Sequence, residues 1–419
     1  MIRSLFYLLL LLLPTQLGRH FFFDFSSISG IRSDYLAPTV FLTDIIVLLI
    51  IVIETFSILK HNNWKSGIIT LQNCFLFFVI CYLLFSSLLV AANSWVALYK
   101  LVKIVEFILL GLMIIRIKPN LTTTLTILAI NIIYSSLVAI WQFRLQKSIG
   151  GFFWLLGERS FYSGTPGVAR GDFWGNFLLR PYATFPHPNV LGGFLAVILP
   201  LILFALLSYR QGVGRVKYFI LLISLIIGLT TLFLSFSRAA WIVAVLGFIL
   251  VAVNYQKSAV TWIKRKSKSI LIVFYLLITL SVVVPLIIPK FVPIKEQSWG
   301  EREALINAAL ALSANSPLFG VGLNNSILQQ RQFVPASSGL YIFQPVHNVY
   351  LLILTETGPV GLTLLLIFLT VIFFRSLQTA PILIFPLIQL YFLGFFDHYL
   401  FTLQQGLLLF TLFASLPFL

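Results

Sequence analysis

His347 stands in Pro345-Val346-His347-Asn348-Val349-Tyr350-Leu351, where a polar stretch gives way to an apolar run of membrane length. A neutral imidazole accepts a proton near pH 7, so one at the mouth of a membrane helix suits acid–base work at that interface. Asn348 and Tyr350 add polar groups to the same helix start. Two arginines, Arg238 and Arg302, reach the same interface once the chain is threaded through a bilayer. A guanidinium is a planar fork of donors that matches phosphate oxygens. The bland alternatives are an interfacial histidine, an arginine snorkelling to lipid phosphates and a solvated surface arginine. Convergence of all three on one interface favours a base beside an anion clamp.

The elements that must position these residues are membrane helices. Of 419 residues, 59% are hydrophobic and 10% charged, more apolar surface than a soluble domain of this size can hide. Many segments approach the ~20 apolar residues that cross a bilayer. Leu and Ile runs without strict alternation argue against an outer-membrane barrel. The composition predicts an all-α polytopic membrane protein, a single integral membrane domain over residues 1–419. A net charge of +16 reads as the positive-inside bias rather than as a nucleic-acid surface. Cys74 and Cys81 lie in one apolar segment and read as packing residues. The N-terminal run after Arg3 resembles a signal peptide, but no small-x-small site follows, so an uncleaved first helix is expected.

Apolar runs fall near residues 4–18, 38–58, 67–91, 95–115, 121–141, 188–208, 218–235, 239–254, 269–288, 347–373, 380–396 and 399–418, which predicts about 12 transmembrane helices. A single helix over 218–254 would be about 55 Å long, far beyond a bilayer's ~30 Å core, so a turn is expected at Ser235-Phe236-Ser237-Arg238. With the N-terminus in the cytoplasm, the inner segments are the tip at Arg3, 59–66, 116–119, 209–217, 255–268 and 374–379. They hold 14 Lys and Arg and no acid, so both termini are expected to be cytoplasmic. The long segments 142–187 and 289–346 are then outside, where loops of such length carry function.

Within 289–346, Ser298-Trp299-Gly300-Glu301 fits a capping box ahead of a helical run that stops before Pro317. Arg302 then falls in the first helical turn, where the dipole disfavours a cation, which suggests another use for it. His187 and Asn189, in Phe185-Pro186-His187-Pro188-Asn189, are further candidates at an outer helix end. Lys100, Lys103 and Glu106 share one face of the fourth span. They either line an anion-accepting cavity or form a buried ion pair that includes Asp44. Glu356, nine residues beyond His347, turns to the opposite helix face, and Gly358-Pro359 should kink that helix.

Four runs in fixed order resemble the O-antigen ligase and O-antigen polymerase superfamily. They are His187-Pro188-Asn189; Ser237-Arg238-Ala239-Ala240-Trp241; Gly300-Glu301-Arg302 leading to Ser316-Pro317-Leu318-Phe319-Gly320-Val321-Gly322; and His347-Asn348-Val349-Tyr350-Leu351 with Glu356-Thr357-Gly358. The likeness covers residues 185–375 and matches no motif in the N-terminal third. It implies a GT-C-like helical fold with a large, partly helical extracytoplasmic loop over 289–346. It also implies a bacterial inner-membrane glycosyltransferase that takes a glycan from undecaprenyl diphosphate on the outer face. The acceptor would be lipid A core, another glycan or a protein hydroxyl. Arg238 and Arg302 would hold the diphosphate and His347 would assist at the reacting centre. Asn348, Tyr350, His187, Asn189, Lys100 and Lys103 are the candidate substrate-binding residues beside them.

That chemistry asks for no cofactor and no metal, because a lipid diphosphate is already an activated leaving group and two guanidiniums can take its charge. The rival from another class is a transporter or flippase for the same lipid-linked glycan. Transporters place ionisable groups near the midplane of repeated, interrupted helices. Here the motif residues gather at outer helix ends and no repeat is visible.

Overall fold

The computed structural model describes residues 1–60, 71–173, 175–208, 214–255, 259–291, 297–333 and 343–419. The chain opens with α1 (Ile2–Leu11), β1 (Gly18–His20), β2 (Ser27–Ile28), β3 (Ile31–Arg32) and β4 (Thr39–Phe41). There follow α2 (Leu42–Lys60), α3 (Leu71–Phe85), α4 (Ser94–Ile117), α5 (Leu121–Leu145) and the single turn α6 (Phe152–Leu155). Next come β5 (Arg170–Phe173), β6 (Asn176–Leu179), α7 (Pro188–Ser208), α8 (Arg215–Leu234), α9 (Arg238–Tyr255), α10 (Ala259–Phe291), α11 (Gln297–Asn315) and the short α12 (Ser326–Gln329). The chain ends with α13 (Val349–Thr379), α14 (Ile384–Phe396), the short α15 (Tyr399–Thr402) and α16 (Gln404–Ser415). Among the described residues the strands form three small antiparallel pairs, β1–β4, β2–β3 and β5–β6, in connections between helices.

Among the described residues, six helices are long and apolar enough to cross a membrane: Leu42–Lys60, Leu121–Leu145, Pro188–Ser208, Arg215–Leu234, Val260–Val283 and Val349–Thr379. The remaining apolar runs carry shorter helices or the charged α4. The expected turn is present, since α8 stops at Leu234 and α9 starts at Arg238. Three boundaries differ from the sequence expectation. The first run is helical only to Leu11, and β1 takes over from Gly18. The basic stretch 259–268 is the start of α10 rather than a loop, because Lys and Arg are good helix formers with nothing there to break the turn. Ser298 lies inside α11, not ahead of it, so Arg302 falls beyond the first turn and the dipole argument for it lapses.

α7 is apolar all round and correspondingly enclosed, packing against α5, α8, α9, α14 and α16. Pro200 within it has no N–H for the carbonyl four residues back. That carbonyl, Ala196 O, accepts from Gln389 Nε2 of α14 at 2.7 Å, and the same nitrogen reaches Val243 O of α9 at 3.0 Å. One buried amide thus repairs the proline break and ties three helices together.

α13 breaks in a similar way, at Gly358 (φ 64°), just ahead of Pro359. The carbonyls this frees are taken by a loop: Val321 N donates to Thr355 O and Gly322 N to Glu356 O, both at 2.9 Å. The Glu356 carboxylate accepts from Asn324 N at 2.8 Å and Ser326 Oγ at 2.7 Å. Ser316–Gly322 and Glu356-Thr357-Gly358 are therefore two halves of one dock, and Glu356 is spent on it rather than on His347. A Cβ at Gly358 would collide with the Leu318 carbonyl on a backbone that L-residues rarely adopt. Gly358→Ala is expected to cost about 1–3 kcal/mol, read as a lower unfolding temperature in detergent.

Candidate active site

His347 immediately precedes Asn348, the N-cap of α13, whose Oδ1 accepts from Leu351 N at 3.0 Å. A cap of this kind contributes about 1 kcal/mol and fixes where the helix, and hence the imidazole, begins. Asn348 Nδ2 donates to Ser281 Oγ of α10 at 2.7 Å. Leu305, Ile306 and Ala309 of α11 pack on Val346, Leu351 and Leu352, docking the arginine-bearing helix against the start of α13.

His347 Nδ1 lies 3.3 Å from Asp397 Oδ1. Asp397 and His398 form the break between α14 and α15, and both are buried. A carboxylate only accepts, so Nδ1 carries the proton and Nε2 is left as the basic nitrogen. Burial acts to raise the Asp397 carboxyl, but the hydrogen bond from His347, with the charge of Arg302, holds it well below the usual carboxylate range. His398 N donates to Asp397 Oδ1 at 2.8 Å, and its ring, 5.1 Å from that of His347, is fixed by Thr402 Oγ1 at 2.6 Å from Nδ1. Burial pushes the His398 imidazole down to about 3, so it stays neutral at physiological pH.

Cations surround this pair. Arg302 Nη1 donates to Phe396 O at 3.3 Å, the carbonyl immediately before Asp397. Arg238 is the exposed first residue of α9, and its charge, like that of Arg302, reaches Arg180. Burial and then the Arg180 charge push His187 down to about 3. In keeping with a neutral ring, His187 Nδ1 accepts from Asn189 N at 3.1 Å. Asn189 Nδ2 donates to Asp397 Oδ2 at 3.0 Å.

The structure thus brings His347, Arg302, Arg238, His187 and Asn189 into one neighbourhood. Asn348 is placed as a helix cap. Tyr350 is buried among Phe274, Tyr391 and Phe395, with its hydroxyl donating to Tyr391 O at 2.8 Å. Lys103 sits between Asp44 at 2.5 Å and Glu106 at 3.2 Å, the buried ion-pair arrangement. Lys100 bonds Phe401 O and lies 4.4 Å from the centre of the Phe401 ring. Sequence reasoning missed Asp397, His398 and Arg180. The first two had a signal, an acid and a histidine filling a two-residue gap between apolar runs. Arg180 had none.

His347, Asp397 and His398 also offer three ligand atoms within 4.8 Å of one another, a group that could hold a metal ion. Against that use stand the charges of Arg302 and Arg180, both of which reach Asp397.

No curated protein matches the chain. Residues 223–366 match the family model described as O-antigen ligase, a stretch that includes Arg238, Arg302 and His347. Over residues 223–366 the chain is therefore similar to the O-antigen ligase family, which supports the O-antigen ligase and polymerase superfamily.

Proposed function

We propose that the protein is an inner-membrane glycosyltransferase of the O-antigen ligase type. It moves an oligo- or polysaccharide from undecaprenyl diphosphate to a hydroxyl of lipid A core on the extracytoplasmic face. The chain crosses the membrane twelve times in a GT-C-like arrangement, with both termini in the cytoplasm. The observation that carries this reading is the His347–Asp397 pair with Arg302 bonded to the neighbouring Phe396 carbonyl, in a chain whose residues 223–366 match the O-antigen ligase model.

In the reaction, His347 Nε2 takes the acceptor hydroxyl proton as the oxygen attacks the anomeric carbon. The new glycosidic bond forms as the bond from that carbon to the phosphate oxygen breaks, and its electron pair leaves with undecaprenyl diphosphate. Asp397 stabilises the imidazolium, as a buried carboxylate behind a catalytic histidine does. Arg238 and Arg302 stabilise the charge that builds on the departing diphosphate. Of the candidate substrate-binding residues, His187 and Asn189 border this centre.

Deleting the gene and examining surface glycans tests the assignment. Loss of long chains from lipid A core is expected; surviving single-repeat units would indicate a polymerase instead. The arginines replace a divalent ion, so purified protein is expected to keep at least half its activity in excess EDTA. Activity that vanishes there and returns with a divalent metal would overturn the metal-free mechanism and point to the His347, Asp397, His398 group.

A further inference from the structure

The transfer reaction leaves Arg180 without a task, although it is largely enclosed and central. It follows β6, whose last residue is anchored by Gln146 Oε1 accepting from Leu179 N at 2.8 Å. Arg180 N itself donates to Ala169 O at 3.0 Å, so the residue is fixed by its backbone before its side chain is considered. Burial pushes its guanidinium down to about 10, which keeps it charged at physiological pH. Nε donates to Ser235 O at 2.7 Å and Nη2 to Asn189 Oδ1 at 2.5 Å.

Those two bonds fix the plane of the fork and begin a chain. Asn189 Nδ2 donates to Asp397 Oδ2 at 3.0 Å, and Asp397 Oδ1 meets His347 Nδ1 at 3.3 Å. Polarity fixes every link. A guanidinium only donates and a carboxylate only accepts, so the amide between them must turn its oxygen to Arg180 and its nitrogen to Asp397. Without the guanidinium, the Asn189 oxygen loses the partner that fixes the amide in place, and its donation to Asp397 Oδ2 is no longer held in one direction. Asp397 would then be held on its Oδ1 side alone, by His398 N and His347, and would orient His347 less firmly. The other bond, to Ser235 O, pins the same guanidinium to the turn that carries Arg238.

We propose that Arg180 is a positioning residue for His347, acting through Asn189 and Asp397, rather than a contact for the donor diphosphate. The proposal rests on the reading of His347 as the base of a glycan transfer. Its consequence is a loss in turnover without a loss in donor affinity, because the relay ends on the base and not on the phosphates.

The test uses the full-length protein in detergent with a lipid-diphosphate-linked glycan donor and a lipid A core acceptor. Arg180→Gln and Asn189→Ala are each expected to lower kcat by about 10–100-fold, the scale of a misplaced reacting group, with donor KM within about twofold of wild type. The double variant should be no worse than the weaker single, since both cut one chain. Arg180→Lys should not rescue, because an ammonium cannot hold two partners in fixed directions as the fork does.

A wild-type rate in Arg180→Lys, a raised donor KM at unchanged kcat, or losses that multiply in the double variant would each overturn the proposal. If the Arg180 variants do not purify, Asn189→Ala decides alone, and wild-type kcat there refutes the relay. The two readings fail separately. Transfer surviving in His347→Ala removes the base itself, whereas an inactive His347→Ala beside a fully active Arg180→Gln removes only the relay.

Discussion

His347→Ala is expected to lower glycan transfer by about 10²–10⁴-fold while the protein still inserts and elutes as wild type does, the range typical for loss of a positioned general base. The geometry gives the reason. Asp397 takes the Nδ1 side at 3.3 Å, which orients Nε2 as the free base, and the side chain keeps about a fifth of its surface accessible. The same substitution leaves a buried carboxylate short of a partner, so some loss of thermal stability should accompany it. His347→Gln separates the two effects. It restores an N–H towards Asp397 and should recover stability, yet it cannot take a proton and should stay inactive. Near-wild-type transfer in either variant would remove His347 from the chemistry.

Arg302→Ala should cost about 10²–10³-fold in kcat/KM for the lipid-linked donor, the scale seen when a preorganised donor to developing negative charge is removed. Arg302 approaches from α11, a helix seated on the start of α13 by Leu305, Ile306 and Ala309, and anchors on Phe396 O beside Asp397. Its charge also helps keep Asp397 ionised. Arg302→Lys should recover part of the loss, because a point charge remains while the fork does not. Steady-state kinetics with donor varied and acceptor saturating measures this, and a change of less than threefold in Arg302→Ala would exclude the clamp.

Much of the architecture was legible because bilayer physics writes it locally. Apolar runs marked the helices, a length argument placed the turn before Arg238, and Gly358-Pro359 announced the break in α13. The failures were failures of context. Lys264, Arg265, Lys266 and Lys268 read as a loop by charge, yet they are helical and continue into an apolar span. Lys100 and Lys103 left two readings open, because only the fold brings Asp44 and Phe401 to them. The candidate centre depends on pairings across 50 residues, His347 with Asp397, and 208 residues, Asn189 with Asp397, which no local pattern encodes. Arg180 is the extreme case. In sequence it is one basic residue in a long loop, and its meaning lies entirely in the two oxygens it meets.

The measurement that bears most directly on the account is the anomeric configuration of the product. Purified protein, a lipid-diphosphate-linked glycan of defined anomeric configuration and a lipid A core acceptor would be incubated in EDTA, and the new linkage assigned by NMR. Direct attack by an acceptor hydroxyl that His347 deprotonates predicts one product, linked with inverted configuration. A retained configuration would exclude direct backside attack by the acceptor and would contradict the account, as would the absence of any transferred glycan.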